Sequence, residues 1–284
     1  MIRSRVYAVP LVAVLLALAT GIALGAGPLT STRSSADPAP VVAPPAAGVR
    51  YPDAFAASVA ARLYQGGLSR RPVALVTLPG ADPATLSALT SQIRLAGGSV
   101  TGTYPVGSQL VDAEQKSLVD TLGVQLARQL RTPVDKAAST YPRIGQLLAV
   151  AIATRGTAGQ PPGSDAAAVR QSLVAARLLA VPQGDPPTAP LVLVVTGTDV
   201  DQAIADGLLT GLAAGARGVV AVGPTGSANV VTLHADGVTR RVSAVDGTES
   251  SAGRVAAVLA LIRSWSKPGG SYGASGSDGS VPLG

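Results

Sequence analysis

Apolar positions along this chain change their period several times, and each change marks an element. From Ala8 to Gly27 they run almost unbroken and without charge. At about 1.5 Å of helical rise per residue, twenty such residues cover about 30 Å, a bilayer's hydrocarbon core. Residues 6–27 are therefore expected to form a transmembrane helix. From Asp53 to Tyr64 the spacing predicts a helix with Phe55, Val59 and Leu63 at intervals of four, ended by Gly66 and Gly67. Val73 to Leu78 is a short apolar run between Pro72 and Pro79-Gly80, as expected of a strand buried on both faces. Asp82 followed by Pro83 reads as an N-cap with proline at N1, opening a helix lined by Leu86, Leu89 and Ile93.

A second strand is expected at 99–103, and three helical patterns occupy most of 112–181. Their apolar faces are Leu118, Leu122, Leu126 and Leu130, then Ile144, Leu147, Leu148 and Ile152, then Val169, Leu173 and Ala176. Leu191 to Val195 is the strongest strand pattern. Thr198 and Asp199 read as the cap of a helix through Ile204, Leu208, Leu209 and Leu212. Further strands are expected at 218–222 and 242–245, with a last helix from about Ser251 to Trp265. Between Val230 and Arg241, Asp236-Gly237 fits either a hairpin turn or a loop after a short helix. The helix keeps the crossover right-handed and is preferred. Apolar strands alternating with helices predict an α/β fold, a Rossmann-like or flavodoxin-like parallel sheet of about five strands with helices on both faces.

The flanks organise the rest. Arg3 and Arg5 precede the apolar segment, which puts residues 1–5 in the cytoplasm and the domain outside it by the positive-inside rule. A cleaved secretory signal, cut after Gly25, is the alternative, and either reading exports the chain. Residues 28–50, with five prolines, read as an extended linker, 51–267 as the extracytoplasmic domain, and the Gly/Ser-rich 268–284 as a disordered tail. Ala17, Gly21 and Gly25 form a small-residue stripe through which two anchors could associate as a homo-oligomer, although such residues are also common in membrane helices.

Composition narrows the chemistry. With no Cys, the exported domain must be stable through its core, and thiolate metal sites and cysteine catalysis are excluded. The net charge of +6 comes from arginines scattered singly or in pairs, with no aromatic platform between them, so no nucleic-acid partner is expected. A doubly wound sheet binds ligands at the carboxyl ends of its strands, which makes Gly80, Asp82, Gly197, Asp199 and Asp246 the crevice candidates. Neither phosphate-binding glycine loop of this architecture is present, and no cofactor is expected. Asp199-x-Asp201 fits a metal-assisted phosphotransfer pair or a helix cap, and the cap is preferred for want of completing groups. The literal G-x-S-x-G at Gly269–Gly273 lacks the strand-turn-helix setting of a nucleophile elbow. His234 is the lone histidine. No catalytic residue and no metal ligand set is assigned, and no enzyme activity is expected.

Several motifs resemble the family of mycobacterial copper transport protein B. They are the N-terminal pattern from Met1-Ile2 and Arg5 through Gly21-Ile22 and Leu24-Gly25, the strand and turn Val73 to Asp82, Ala96-Gly97-Gly98, Ser243-x-Val245-Asp246, Gly253-Arg254 and Val258 to Leu261. The resemblance implies a single-pass membrane protein of the cell envelope with a role in copper efflux or homeostasis. The physical alternative is a non-enzymatic envelope scaffold or a small-ligand or partner-binding module. Where family members carry a heptad-rich coiled coil, this chain has its Pro-rich linker. Copper prefers Cys, Met and His donors, and the chain offers only Met1 and His234.

Overall fold

A computed structural model describes residues 47–197, 200–231, 233 and 240–283. The expected transmembrane helix and its stripe, most of the linker, Asp199, His234 and the Asp236-Gly237 turn lie outside these residues. Among the described residues no helix is long and apolar enough to cross a membrane.

Six strands form one parallel sheet: β1 (Val73–Thr77), β2 (Val100–Pro105), β3 (Leu191–Val195), β4 (Gly218–Gly223), β5 (Val242–Asp246) and β6 (Gly270–Tyr272). Their order is β2-β1-β3-β4-β5-β6, and every neighbouring pair is parallel. The expectation of about five strands is corrected by β6, which lies in the segment read as a disordered tail. Its Ser271 and Tyr272 are buried, and Ser243 pairs with Gly270, Ala244 with Ser271 and Val245 with Tyr272. Low hydrophobicity hid this strand, since its ladder and side-chain bonds are polar. Ser243 Oγ donates to the Gly269 carbonyl (3.1 Å), and the Ser271 N–H donates to Asp278 Oδ2 (2.9 Å).

Alternate strand residues serve opposite cores. Val73, Leu75, Leu191, Leu193, Val195, Val220 and Val222 face α1 (Ala47–Tyr64), α2 (Pro83–Leu95) and α9 (Ser251–Ser264). Ala74, Val76, Val192, Val194, Val219 and Ala221 face the other helices. These are α3 (Ser108–Val111), α4 (Lys116–Gln129), α5 (Thr140–Ile152), α6 (Ser164–Ala175), α7 (Gln202–Gly215) and the single turn α8 (Ala228–Val231). Asp82 caps α2 as expected, accepting from the N–H groups of Ala84 and Thr85.

In two helices the buried face departs, wholly or in part, from the one their largest apolar residues suggest. In α1, Ala56, Ala60 and Tyr64 are buried, while Phe55 is 57% exposed and Leu63 is also exposed. In α4 the expected face is kept in part: Leu126 is buried and Leu122 and Leu130 pack against the core, joined by Val119, Gly123 and Ala127, while Leu118 is 52% exposed. In both, the small-residue side lets the helix sit closer to its neighbour.

The same economy governs α5 against α7. Gly207, Gly211 and Gly215, one turn apart on α7, lie over Tyr141-Pro142, Gly145 and Ala149 of α5. A Cβ on Gly145 would stand 2.3 Å from the Leu208 carbonyl, and one on Gly211 would stand 2.2 Å from that of Pro142. The backbones therefore touch with no room for a methyl. At the amino ends of the strands, Trp265 is held between the guanidiniums of Arg71 (4.6 Å) and Arg217 (4.3 Å), tying the end of α9 to the starts of β1 and β4. Gly145→Ala is expected to destabilise the domain by about 3 kcal/mol through this overpacking, whereas Gly163→Ala, which meets nothing within 4 Å, should change the urea midpoint little.

Candidate functional site

With β2 on one side of β1 and β3 on the other, the chain reverses its winding between β1 and β3. At such a switch point a parallel sheet opens a ligand crevice beyond its carboxyl ends. Here the two loops close on each other. The Leu78 N–H donates to the Val195 carbonyl (2.9 Å), and a Cβ on Gly197 would lie 1.7 Å from the Pro79 carbonyl oxygen. The remaining opening, about 220 Å³, lies over the ends of β3 and β4. It is lined by Gly80, Asp82, Thr85, Val195, Thr196, Gly197, Gly223, Pro224, Thr248 and Glu249.

Hydrogen bonds fix its floor. The Thr196 hydroxyl donates to the Val222 carbonyl (3.0 Å), and buried Asn229 donates through Nδ2 to the Gly197 carbonyl (3.1 Å). Gly223 is required where it stands, because a Cβ there would meet Thr196 Oγ1 at 2.6 Å. Both rim carboxylates already have partners. Asp82 is held below the usual carboxylate range by the Thr85 hydroxyl and the backbone N–H groups of Thr85 and Ala84. Burial pushes the Glu249 carboxyl up, but the Thr225 hydroxyl (2.5 Å) and N–H (3.1 Å) outweigh it and hold it low.

Asp246, the last residue of β5, has a different role. It is wholly buried, and Oδ1 accepts from the Ser275 N–H (3.0 Å) while Oδ2 accepts from the Ser275 hydroxyl (2.7 Å) and the Gly226 N–H (3.4 Å). Burial raises its carboxyl, and these donors, led by Ser275, bring it below the ordinary value. Asp246 thus pins the C-terminal segment over the sheet. Gly273 permits the approach, with φ +105° and no space for a Cβ beside Asp246.

Of the five candidates, the structure brings Gly80, Asp82 and Gly197 to one crevice, places Asp246 beneath the C-terminal segment, and leaves Asp199 outside the described residues. Asp201 is the N-cap of α7, accepting from Ala203 and Ile204. Ser271 of the G-x-S-x-G is a buried β6 residue whose hydroxyl accepts from the Ser277 N–H (2.9 Å). The residues that sequence reasoning missed are Glu249, Thr225 and Ser275. Glu249 is one of only two glutamates in the chain, which was the available signal. Among the described lining residues there is no Lys, Arg or His, so the crevice suits a neutral or cationic group better than a phosphate. Among the described residues no three His, Cys, Asp or Glu side chains converge as a metal site.

Because the folded-state Asp246 pKa is lowered, its contribution is full above the unfolded value of about 3.9 and is lost as pH falls through the folded value. Asp246→Asn should therefore lower stability at pH 7 by about 2 kcal/mol. The loss shrinks toward pH 3, as urea melts at the two pH values would show.

Comparison with known proteins places these features in a wider group. The family model described as "Copper transport outer membrane protein, MctB" matches residues 1–41 and 45–283. Proteins named copper transporter MctB from Mycobacterium bovis (strain ATCC BAA-935 / AF2122/97) and Mycobacterium tuberculosis (strains CDC 1551 / Oshkosh and ATCC 25618 / H37Rv) are each 27% identical to this chain over 297 residues. The match covers 92% of this chain and 92% of each relative.

Proposed function

Since the chain belongs to the MctB family of copper transport outer membrane proteins, we propose that it serves copper efflux or homeostasis in the cell envelope without binding copper tightly itself. The near-full-length family match carries this reading. Ligand chemistry shapes it. Cu(I) sites are built from thiolate and thioether donors and Cu(II) sites from imidazoles. With no Cys, one Met at position 1 and one His, the chain has too few soft or imidazole donors for a closed site. Copper is then the cargo of an assembly to which this chain contributes structure.

The proposed assembly is membrane-held. The uncharged segment 6–27 behind Arg3 and Arg5 anchors a single-pass chain with its α/β domain extracytoplasmic. Ala17, Gly21 and Gly25 supply the face on which anchors pair, and Gly21→Leu should reduce self-association in a membrane reporter assay. The reading is non-enzymatic, since the crevice hydroxyls of Thr85, Thr196 and Thr248 have no histidine or lysine beside them among the lining residues.

A second reading, a scaffold or module binding a small ligand or partner, is favoured by the crevice itself. One experiment separates the two. Total cell copper is measured by elemental mass spectrometry in a deletion strain grown in added copper, then after complementation with wild-type protein or with Pro224→Trp, which puts an indole at the exposed crevice mouth. Copper that rises on deletion and falls with both complements supports an efflux role independent of the crevice. Restoration by wild type alone shows that the crevice must be open. Copper unchanged by deletion overturns the efflux reading.

A further inference from the structure

Away from the crevice, α4, the 130–139 loop and the start of α5 enclose a pocket of about 150 Å³, lined by Val124, Ala127, Arg128, Lys136 and Arg143. Three of the five are cations and none is acidic. Arg143 is only 7% exposed, which is unusual for an arginine. Its Nη1 donates to Asp120 Oδ1 (3.0 Å), and its Nη2 donates to the carbonyls of Lys136 (3.3 Å) and Ala138. Its Nε–H has no acceptor among the described residues. Asp120 is shared, since it also accepts from the Thr140 hydroxyl (2.8 Å). Asp120 is thus engaged by Arg143 and Thr140, and it does not line the pocket.

Arg128 and Lys136 are exposed, and neither side chain hydrogen-bonds or pairs with a described residue. Three cationic side chains around a small cavity, two of them exposed and unengaged and no acid among the lining residues, are what a compact anion would complete. Volume narrows the class. Pockets for drug-sized organic ligands begin at about 300 Å³, so this one admits a small oxyanion and excludes a nucleotide.

We propose that this pocket is an oxyanion site taking a phosphate-class group, either as the free ion or as the phosphate of a small headgroup. Arg143 forms its base and also holds the 130–139 loop, while Arg128 and Lys136 close over the anion. The site is independent of the crevice and of any role in copper handling.

Thermal melts of the full-length protein, titrated with inorganic phosphate against chloride at equal ionic strength, test it. Arg143→Ala is unsuitable because it frees the loop, so the test pair is Arg128→Ala/Lys136→Ala, and Arg62→Ala/Arg94→Ala removes the same charge elsewhere on the surface. Phosphate should raise the wild-type and control midpoints alike. In the test pair its apparent Kd should rise by about tenfold or more for each cation lost, with the midpoint in chloride unchanged. Glycerol 3-phosphate distinguishes the sources: tighter binding than phosphate assigns a headgroup, weaker binding the free ion. No phosphate response, or an equal loss in both double variants, would overturn the proposal.

Discussion

A parallel sheet whose central strands are hidden from water has to be covered on both faces, and this chain must do so with few large side chains. It has one Phe, one Trp and no Cys, and its apolar content is dominated by alanine, valine and leucine. Neither aromatic bulk nor disulfides are available to fill or staple the space between layers. Stability then depends on bringing backbones close enough that small side chains pack without voids. The glycine stripe of α7 against α5 is the clearest result, since at Gly145 and Gly211 nothing larger than hydrogen fits. The inward turn of Ala56 and Ala60 in α1 and of Gly123 and Ala127 in α4 follows from the same need.

Close packing also decides what becomes of the ligand end of the sheet. At the switch point, where this topology would ordinarily leave a crevice, Gly197 lets the β3 loop settle against Pro79 and the gap closes. The opening moves one strand over, beside Gly223, where it is small and rimmed by carboxylates already engaged with Thr85 and Thr225. Asp246, which a sequence places among the ligand candidates, is used to fasten the C-terminal segment. The carboxyl ends of the strands thus serve the integrity of the fold as much as they offer a site.

Legibility followed burial. Strands β1, β3 and β4 and the cap at Asp82 could be read from apolar runs and one Asp-Pro step because those signals are local. Which face of α1 goes inside could not, since Phe55 outranks Ala56 and Ala60 in hydrophobicity and loses to them in fit; in α4 only Leu118 is misplaced, while Leu122, Leu126 and Leu130 pack inward. Strand β6 escaped notice because Gly270, Ser271 and Tyr272 carry little apolar signal, and their strand state depends on a ladder with β5 and on Asp278, which are tertiary facts. In the crevice, Gly80, Asp82 and Gly197 were found by the rule of carboxyl ends. Glu249 was not, because its role depends on Thr225, 24 residues away in the chain.

The distribution of donors on this chain bears on how a copper-family protein can work. A dedicated copper site concentrates soft ligands, and evolution of such a site leaves Cys, Met or His in clusters. This chain has instead scattered arginines, a buried guanidinium with one unused N–H, and a crevice with hydroxyls and carboxylates that already have partners. Such groups hold shape and attract anions, and they do little for a soft cation. Under the proposed reading, copper handling by this chain is a matter of position and assembly, in which the α/β domain presents surfaces while other molecules hold the metal.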